Sequence, residues 1–330
     1  MFLKAAFFVG IVYIFQGPAA AGASGFGIGA PRLGYVWDAG AGKVVPIQGI
    51  PGASMAGPAF DHGLGSATRV WAASRYFVAV SGDRTLVATE PGATAREIAA
   101  ASPPDQVFFS PLETAAVLWN EEGRFAQVVV GLPESPSAAR RIVVPDWAGR
   151  ADLWAISDDG EVLLVWGKDA SVPLLSIDSS GRVQTLPVAG PVTAAAFRPG
   201  SRDALAAAGP ESGIYLLRNA GAGEAPQLVA VLGDVAGAPS ALAFDQAGGR
   251  WVAADAEGTI VTIAMSGEIS APLVCGCTLS GLRRLNAESA FLLNRPAGGD
   301  LLRILDLSRG AARLLFVPAS VTDENGRGDQ

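Results

Sequence analysis

The sequence predicts an all-β protein built as a β-propeller of seven blades, the first incomplete, with six blades plus an extra hairpin as the alternative. Three observations carry this expectation. The chain has 330 residues, 50% hydrophobic and 17% charged, with 41 Gly and 22 Pro scattered between short apolar runs. That is the composition of many short strands joined by turns, with ample apolar material for one large core. No helical 3.6-residue pattern is sustained over about a dozen residues. A self-similar unit also recurs: with Phe109, Ile156, Phe197, Phe244 and Leu285 as anchors, the intervals are 47, 41, 47 and 41 residues. About 40–45 residues is the period of a four-stranded propeller blade.

In chain order, residues 1–23 have the layout of a secretory signal. Lys4 precedes an apolar stretch from Ala5 to Phe15, then Gly17-Pro18 and small residues, with cleavage expected after Ala21 or Ala23. The apolar stretch is too short to cross a bilayer core, which needs roughly 20 residues. No cysteine near the cleavage site offers a lipoprotein anchor. The mature chain is therefore expected in the periplasm or outside the cell, as a monomer with no membrane span once the signal is removed. A linker, 24–32, leads to a single propeller domain over 33–319. The tail, 320–330, is polar and expected to be mobile.

Within the domain, Leu33–Trp37 and Lys43–Gln48 read as two strands, half a blade, left incomplete or closed by a partner strand. Six further units span about 68–102, 105–147, 150–188, 192–233, 239–274 and 280–318. The clearest has strands Ala241–Asp245, Arg250–Ala254, Thr259–Met265 and Ile269–Val274, with Glu257-Gly258 and Ser266-Gly267 as hairpin signals. Alternation is imperfect, as expected where both faces of a blade pack against neighbours. A pair of β-sandwiches is the competing architecture, but it does not require self-similarity at a blade-length period.

The turns Ala196-Phe197-Arg198-Pro199-Gly200 and Leu242-Ala243-Phe244-Asp245-Gln246-Ala247-Gly248-Gly249 resemble the repeat of the YVTN/WD40-like propellers. The C-terminal part is similar to a narrower group of uncharacterised secreted bacterial propellers. That likeness is carried by Cys275-Gly276-Cys277, Gly281-Leu282 with Arg284-Leu285, Phe291 and Leu293, Leu301-Leu302 with Asp306, and Phe316-Val317-Pro318. Leu33-Gly34-Tyr35-Val36-Trp37-Asp38 and Gly49-Ile50-Pro51-Gly52 belong to the same likeness. The resemblance spans about residues 30–319 and implies a fold; it brings no catalytic residues with it.

A formal charge of −7 with only 24 Lys and Arg leaves no basic footprint for phosphate backbones, so nucleic acid is not an expected partner. His62 is the only histidine. It sits in a Gly-flanked loop with no Gly-x-Ser-x-Gly elbow to serve, and one His with two Cys does not assemble an ordinary zinc site. Carboxylates are the remaining route to chemistry. Near the ends of inner strands the candidates are Glu113, Asp158, Asp159 and Asp245, with Arg198 and Arg284 as anion contacts. Each has an ordinary structural explanation, since Asp158-Asp159-Gly160 and Asp245 sit in turns whose backbone they can satisfy. No cofactor and no metal ligand set is assigned.

Of the seven Trp (37, 71, 119, 147, 154, 166 and 251), Trp119, Trp154, Trp166 and Trp251 fall in predicted strands and read as core. Arg327-Gly328-Asp329 in the tail is given no function. Cys275 and Cys277 are expected near the crossing from the sixth to the seventh unit. There they either form a disulfide that staples the loop or pack as two apolar thiols, with a redox or metal role and an intermolecular link as the lesser alternatives. An extended strand would set their Cα atoms about 6.6 Å apart, near the upper limit for a disulfide, which Gly276 can relax by bending the backbone. Two functions from different classes remain. One is a non-catalytic scaffold that binds a protein or polymer partner, which is favoured. The other is a lactonase-like hydrolase or lyase with a carboxylate-bound divalent metal at the channel mouth. Convergence of three or more carboxylate or amide side chains from different blades would favour the enzyme.

Overall fold

Leu163–Gly167, of sequence LLVWG, is buried at every position, and the same holds for ALAAA at Ala204–Ala208. Successive side chains of a strand point to opposite faces, so such runs form only where a sheet is covered on both sides. The computed structural model describes residues 31–59, 67–90, 93–144, 151–167, 173–209, 211–294 and 301–318. The predicted signal, most of the linker, His62, Trp147 and the tail with its Arg-Gly-Asp triplet lie outside them.

The described strands form seven antiparallel sheets, each from consecutive chain. The first holds β1 (Arg32–Asp38), β2 (Lys43–Ile50) and β3 (Ala53–Ala56). The second holds β4 (Ala67–Ala72), β5 (Phe77–Ser81), β6 (Arg84–Ala88) and β7 (Arg96–Ile98). Next come β8 (Gln106–Phe109), β9 (Ala115–Asn120), β10 (Phe125–Val130) and β11 (Ser137–Val143), then β12 (Ala151–Ile156), β13 (Leu163–Gly167), β14 (Leu175–Ile177) and β15 (Val183–Thr185). The fifth holds β16 (Val192–Phe197), β17 (Ala204–Ala208), β18 (Gly213–Leu217) and β19 (Gln227–Val231). The sixth holds β20 (Pro239–Asp245), β21 (Arg250–Asp255), β22 (Thr259–Ala264) and β23 (Leu273–Val274). The last holds β24 (Arg283–Arg284), β25 (Ala290–Leu292), β26 (Leu302–Asp306) and β27 (Arg313–Val317).

Seven hydrophobic clusters occupy the seven junctions between neighbouring sheets. In β13, Leu163 and Val165 pack with Val117, Trp119 and Val128 of the third blade, while Leu164 and Trp166 pack with Ala204 and Ala206 of the fifth. In β21, Trp251 and Ala253 face the fifth blade, and Val252 and Ala254 face the seventh. The ring closes where Leu33, Val36, Ile47 and Ala56 of the first blade meet Leu285, Leu292, Ile304 and Val317 of the seventh. The architecture is a seven-bladed propeller. Its two-sided blades explain why the strands lack clean polar alternation.

The pairing of first with second strand carries a register shift near the strand start in five blades: Arg32/Gly34, Ala67/Arg69, Ala151/Leu153, Val192/Ala194 and Pro239/Ala241. A bulge there bends the innermost strand where it enters the ring. The first blade is incomplete, but with three strands where the sequence signals only two. β3 is four residues of Ala-Ser-Met-Ala, too short and too little β-branched to announce itself. It forms because Gly49, at φ 106°, lets β2 and β3 approach so closely that a Cβ would sit 2.1 Å from the Ala53 carbonyl oxygen.

The anchors Phe109, Ile156, Phe197 and Phe244 all lie at or next to the end of a first strand, but Leu285 is out of step by one residue. Phe244 pairs across to Trp251 and Phe197 to Ala204, whereas the matching position in the seventh blade is Arg284, opposite Phe291. A one-residue offset turns a side chain to the other face. Accordingly Leu285 packs toward the first blade, the next in the ring, while Phe244 packs toward the blade before it.

Candidate functional site

The first strands of all seven blades surround a central cavity of about 400 Å³. Its wall takes Trp37, Trp71, Phe108, Trp154, Phe197 and Phe244 from six blades, and it lies toward the ends of these strands, where the first turns supply Ser110, Pro111, Glu113 and Pro199. Among the described residues its charged groups are Glu113, Arg283 and Arg284. No contiguous motif in the sequence marks this lining. Its only sequence signal is positional: a large side chain recurring within the last three places of each first strand.

Glu113 sits in the turn after β8 with a left-handed backbone, φ 59°. Its buried carboxylate accepts hydrogen bonds from the Ser74 amide at 2.8 and 2.9 Å and from the Ser74 hydroxyl at 2.5 Å, and its carbonyl accepts one from the Tyr76 hydroxyl at 2.8 Å. Burial pushes the Glu113 carboxyl above its ordinary value, only partly offset by Ser74 and by the charges of Arg283 and Arg75. Burial likewise pushes the Tyr76 phenol up.

Asp158 reaches both ways round the ring. One oxygen accepts from the Leu112 amide of the third blade at 2.7 Å, the other from the Gly200 amide of the fifth at 2.7 Å. Asp159 accepts from the Ser157 hydroxyl at 2.6 Å, the Glu161 amide at 3.0 Å and Arg202 Nε at 2.8 Å. Its own burial opposes ionisation, but these bonds outweigh it and hold the carboxyl below the ordinary range. Asp245 is fully buried, accepting from the Ser289 hydroxyl of the seventh blade at 2.5 Å, Gly248 N at 3.2 Å and Arg250 Nε at 3.0 Å.

The arginines extend the pattern. Arg284 donates to the Gln246 side-chain carbonyl at 3.0 Å, and the Arg198 guanidinium lies 5.2 Å from the centre of the Phe244 ring. Arg283 donates to the carbonyls of Tyr35 and Ala72, tying the seventh blade to the first and second. The named carboxylates thus act as latches between blades. Among the described residues no three His, Cys, Asp or Glu side chains converge where they could hold one ion.

Cys275 and Cys277 follow β23 directly, are buried, and are joined by a disulfide with Cα atoms 5.3 Å apart. Gly276, at φ 58°, supplies the bend that brings them closer than an extended strand would. Trp119, Trp154, Trp166 and Trp251 are all buried, and Trp119 packs on Trp154 with ring centres 5.3 Å apart. No described helix is long and apolar enough to cross a membrane.

No protein-family model and no curated protein sequence matches the chain. Among solved structures it is similar to Sqt1 of Chaetomium thermophilum, with 14% identity, a TM-score of 0.52, and coverage of 84% of this chain and 79% of that one. The same protein solved in complex with the N-terminus of the ribosomal protein L10 matches with 15% identity, a TM-score of 0.51, and coverage of 82% and 79%. At such identity the likeness speaks to the fold alone, a β-propeller.

Proposed function

We propose that this chain is an exported, non-catalytic propeller that serves as a rigid binding scaffold for a protein partner. The observation that carries the reading is the engagement of its turn carboxylates: Glu113, Asp158, Asp159 and Asp245 are all bonded to backbone amides, hydroxyls or arginines of their own or adjacent blades. Groups held this way fix the turns in place. A frame latched in this way presents its loops with little ordering cost on binding. A protein of the same fold is bound to a segment of another protein, which supports a polypeptide as the kind of partner. Export rests on Lys4, the apolar stretch to Phe15 and the small residues up to Ala23. Similarity to secreted bacterial propellers, carried by the C-terminal motifs, fits the same destination.

The test is crosslinking of a tagged chain in cells of its source, followed by N-terminal sequencing of the tagged protein. The expected result is a mature start after Ala21 or Ala23 and one crosslinked protein. That crosslink should be lost on charge reversal of exposed turn residues on one face and kept on reversal on the other. Recovery without any specific partner, together with steady turnover of lactone or ester substrates by the purified chain, would overturn the proposal.

A further inference from the structure

We infer that the mouth of the central channel binds a small amphipathic anion with an aromatic body. The cavity, about 400 Å³, is of the size that holds one small molecule. Its wall is a ring of apolar and aromatic side chains, among them Trp37, Trp71, Phe197 and Phe244, which suits a flat apolar body stacked or edge-on to indole and phenyl rings.

The sign of the polar end follows from the charges at the rim. Arg283 is already spent on two backbone carbonyls. Glu113 turns its carboxylate into the junction with Ser74. Of the lining charges this leaves Arg284, held by the neutral amide of Gln246; just outside the lining, the exposed Arg198 rests on the face of Phe244, which lines the cavity. Among the described residues neither pairs with a carboxylate. They come from the fifth and seventh blades and flank the sixth, whose Phe244 lines the cavity with Arg284. Two positive groups, positioned by uncharged neighbours at the edge of a low-dielectric pocket, favour an anion and repel a cation. The inference goes beyond the scaffold proposal and does not depend on it, because a partner protein can dock on the turns whether or not the channel is filled.

The test titrates the full mature protein with 8-anilinonaphthalene-1-sulfonate and, separately, with its uncharged analogue N-phenyl-1-naphthylamine, following probe fluorescence. Saturable binding of the sulfonate at one site, at least tenfold tighter than the uncharged probe, is expected. The double variant Arg198→Gln, Arg284→Gln should remove that preference while leaving the uncharged probe bound as before. Ala243→Phe, which fills the channel from the sixth blade, should abolish both; Ala155→Leu replaces it if that variant fails to fold, and the arginine variants decide the question if both do. Equal affinity for the two probes, non-saturable binding, or a sulfonate affinity unchanged in the double variant would overturn the inference.

Discussion

Glu113 combines two costs in one residue, a left-handed backbone and a buried carboxyl, and it offsets them by bonding twice to Ser74 across a blade junction. Because burial raises its proton affinity in the fold, the folded chain holds that proton more tightly than the unfolded chain. Stability from this group therefore falls as pH rises from near its ordinary value of 4.5 toward the raised one. Glu113→Gln removes the titration, so the melting temperature of the variant relative to the parent should improve between about pH 4 and pH 8. A difference that stays constant with pH would contradict the raised proton affinity. Asp159 works in the opposite sense: its depressed carboxyl contributes stability that is lost as pH falls through its lowered range. At Asp245 the partners decide the outcome. Asp245→Ala leaves Arg250 facing a fully buried site without its carboxylate, and should cost about 3 kcal/mol in denaturant unfolding. Cys277→Ser opens a loop spanning only two residue steps and should cost about 1–2 kcal/mol, less than a long-range disulfide.

At the scale of the element, the first turn of a blade often does more than reverse the chain. Its side chains reach a neighbouring sheet, as with Asp158 to Leu112 and Gly200, Arg202 to Asp159, and Asn286 to the carbonyl of Arg32. The hairpin of β2 and β3 depends on backbone shape instead. Gly49→Ala places a methyl against the Ala53 carbonyl at a φ that L-residues rarely adopt, and should destabilise by about 1–3 kcal/mol. Faster hydrogen exchange confined to β3 and the facing β27 would locate the effect, and unchanged exchange there would contradict it. The turns were legible from their Gly, Pro and Asp content, and the four-strand unit was legible around Phe244. β3 was not, because a four-residue strand of small side chains carries no periodic signal and is decided by the close approach that Gly49 allows. The seventh first strand is legible only to within one residue: Leu285 is its apolar anchor, yet Arg283 and Arg284 are the residues that pair with Leu292 and Phe291.

Across the whole molecule, the ring has one junction where the chain does not run on from blade to blade. There the seventh blade meets the first through Leu285, Ile304 and Val317 against Leu33, Val36 and Ile47, with Asn286 N donating to Leu33 O at 2.6 Å and Ala56 N to Pro318 O at 3.2 Å. Among the described residues no strand from either end inserts into the other's sheet, so packing carries the closure. Leu285→Ala should therefore cost about 2–5 kcal/mol. Hydrogen exchange should show early opening at β1 and β24 before the sheets of the third to sixth blades. Loss of protection spread evenly round the ring would argue against a weak seam.

The sequence by itself determined the fold: short apolar runs, turn residues between them and a blade-length repeat are local properties, and together they leave few architectures other than a propeller. It also named Glu113, Asp158, Asp245, Arg198 and Arg284 as side chains near inner-strand ends. What those side chains do was decided only by tertiary structure. Ser74 lies thirty-nine positions from Glu113, and Asp245 is forty-four from Ser289, so no local pattern announces either bond. The aromatic wall of the channel is of the same kind. Each blade contributes side chains near a strand end, unremarkable alone, and only closure of the ring places them around one cavity, with Arg284 in its lining and Arg198 beside it on the Phe244 ring.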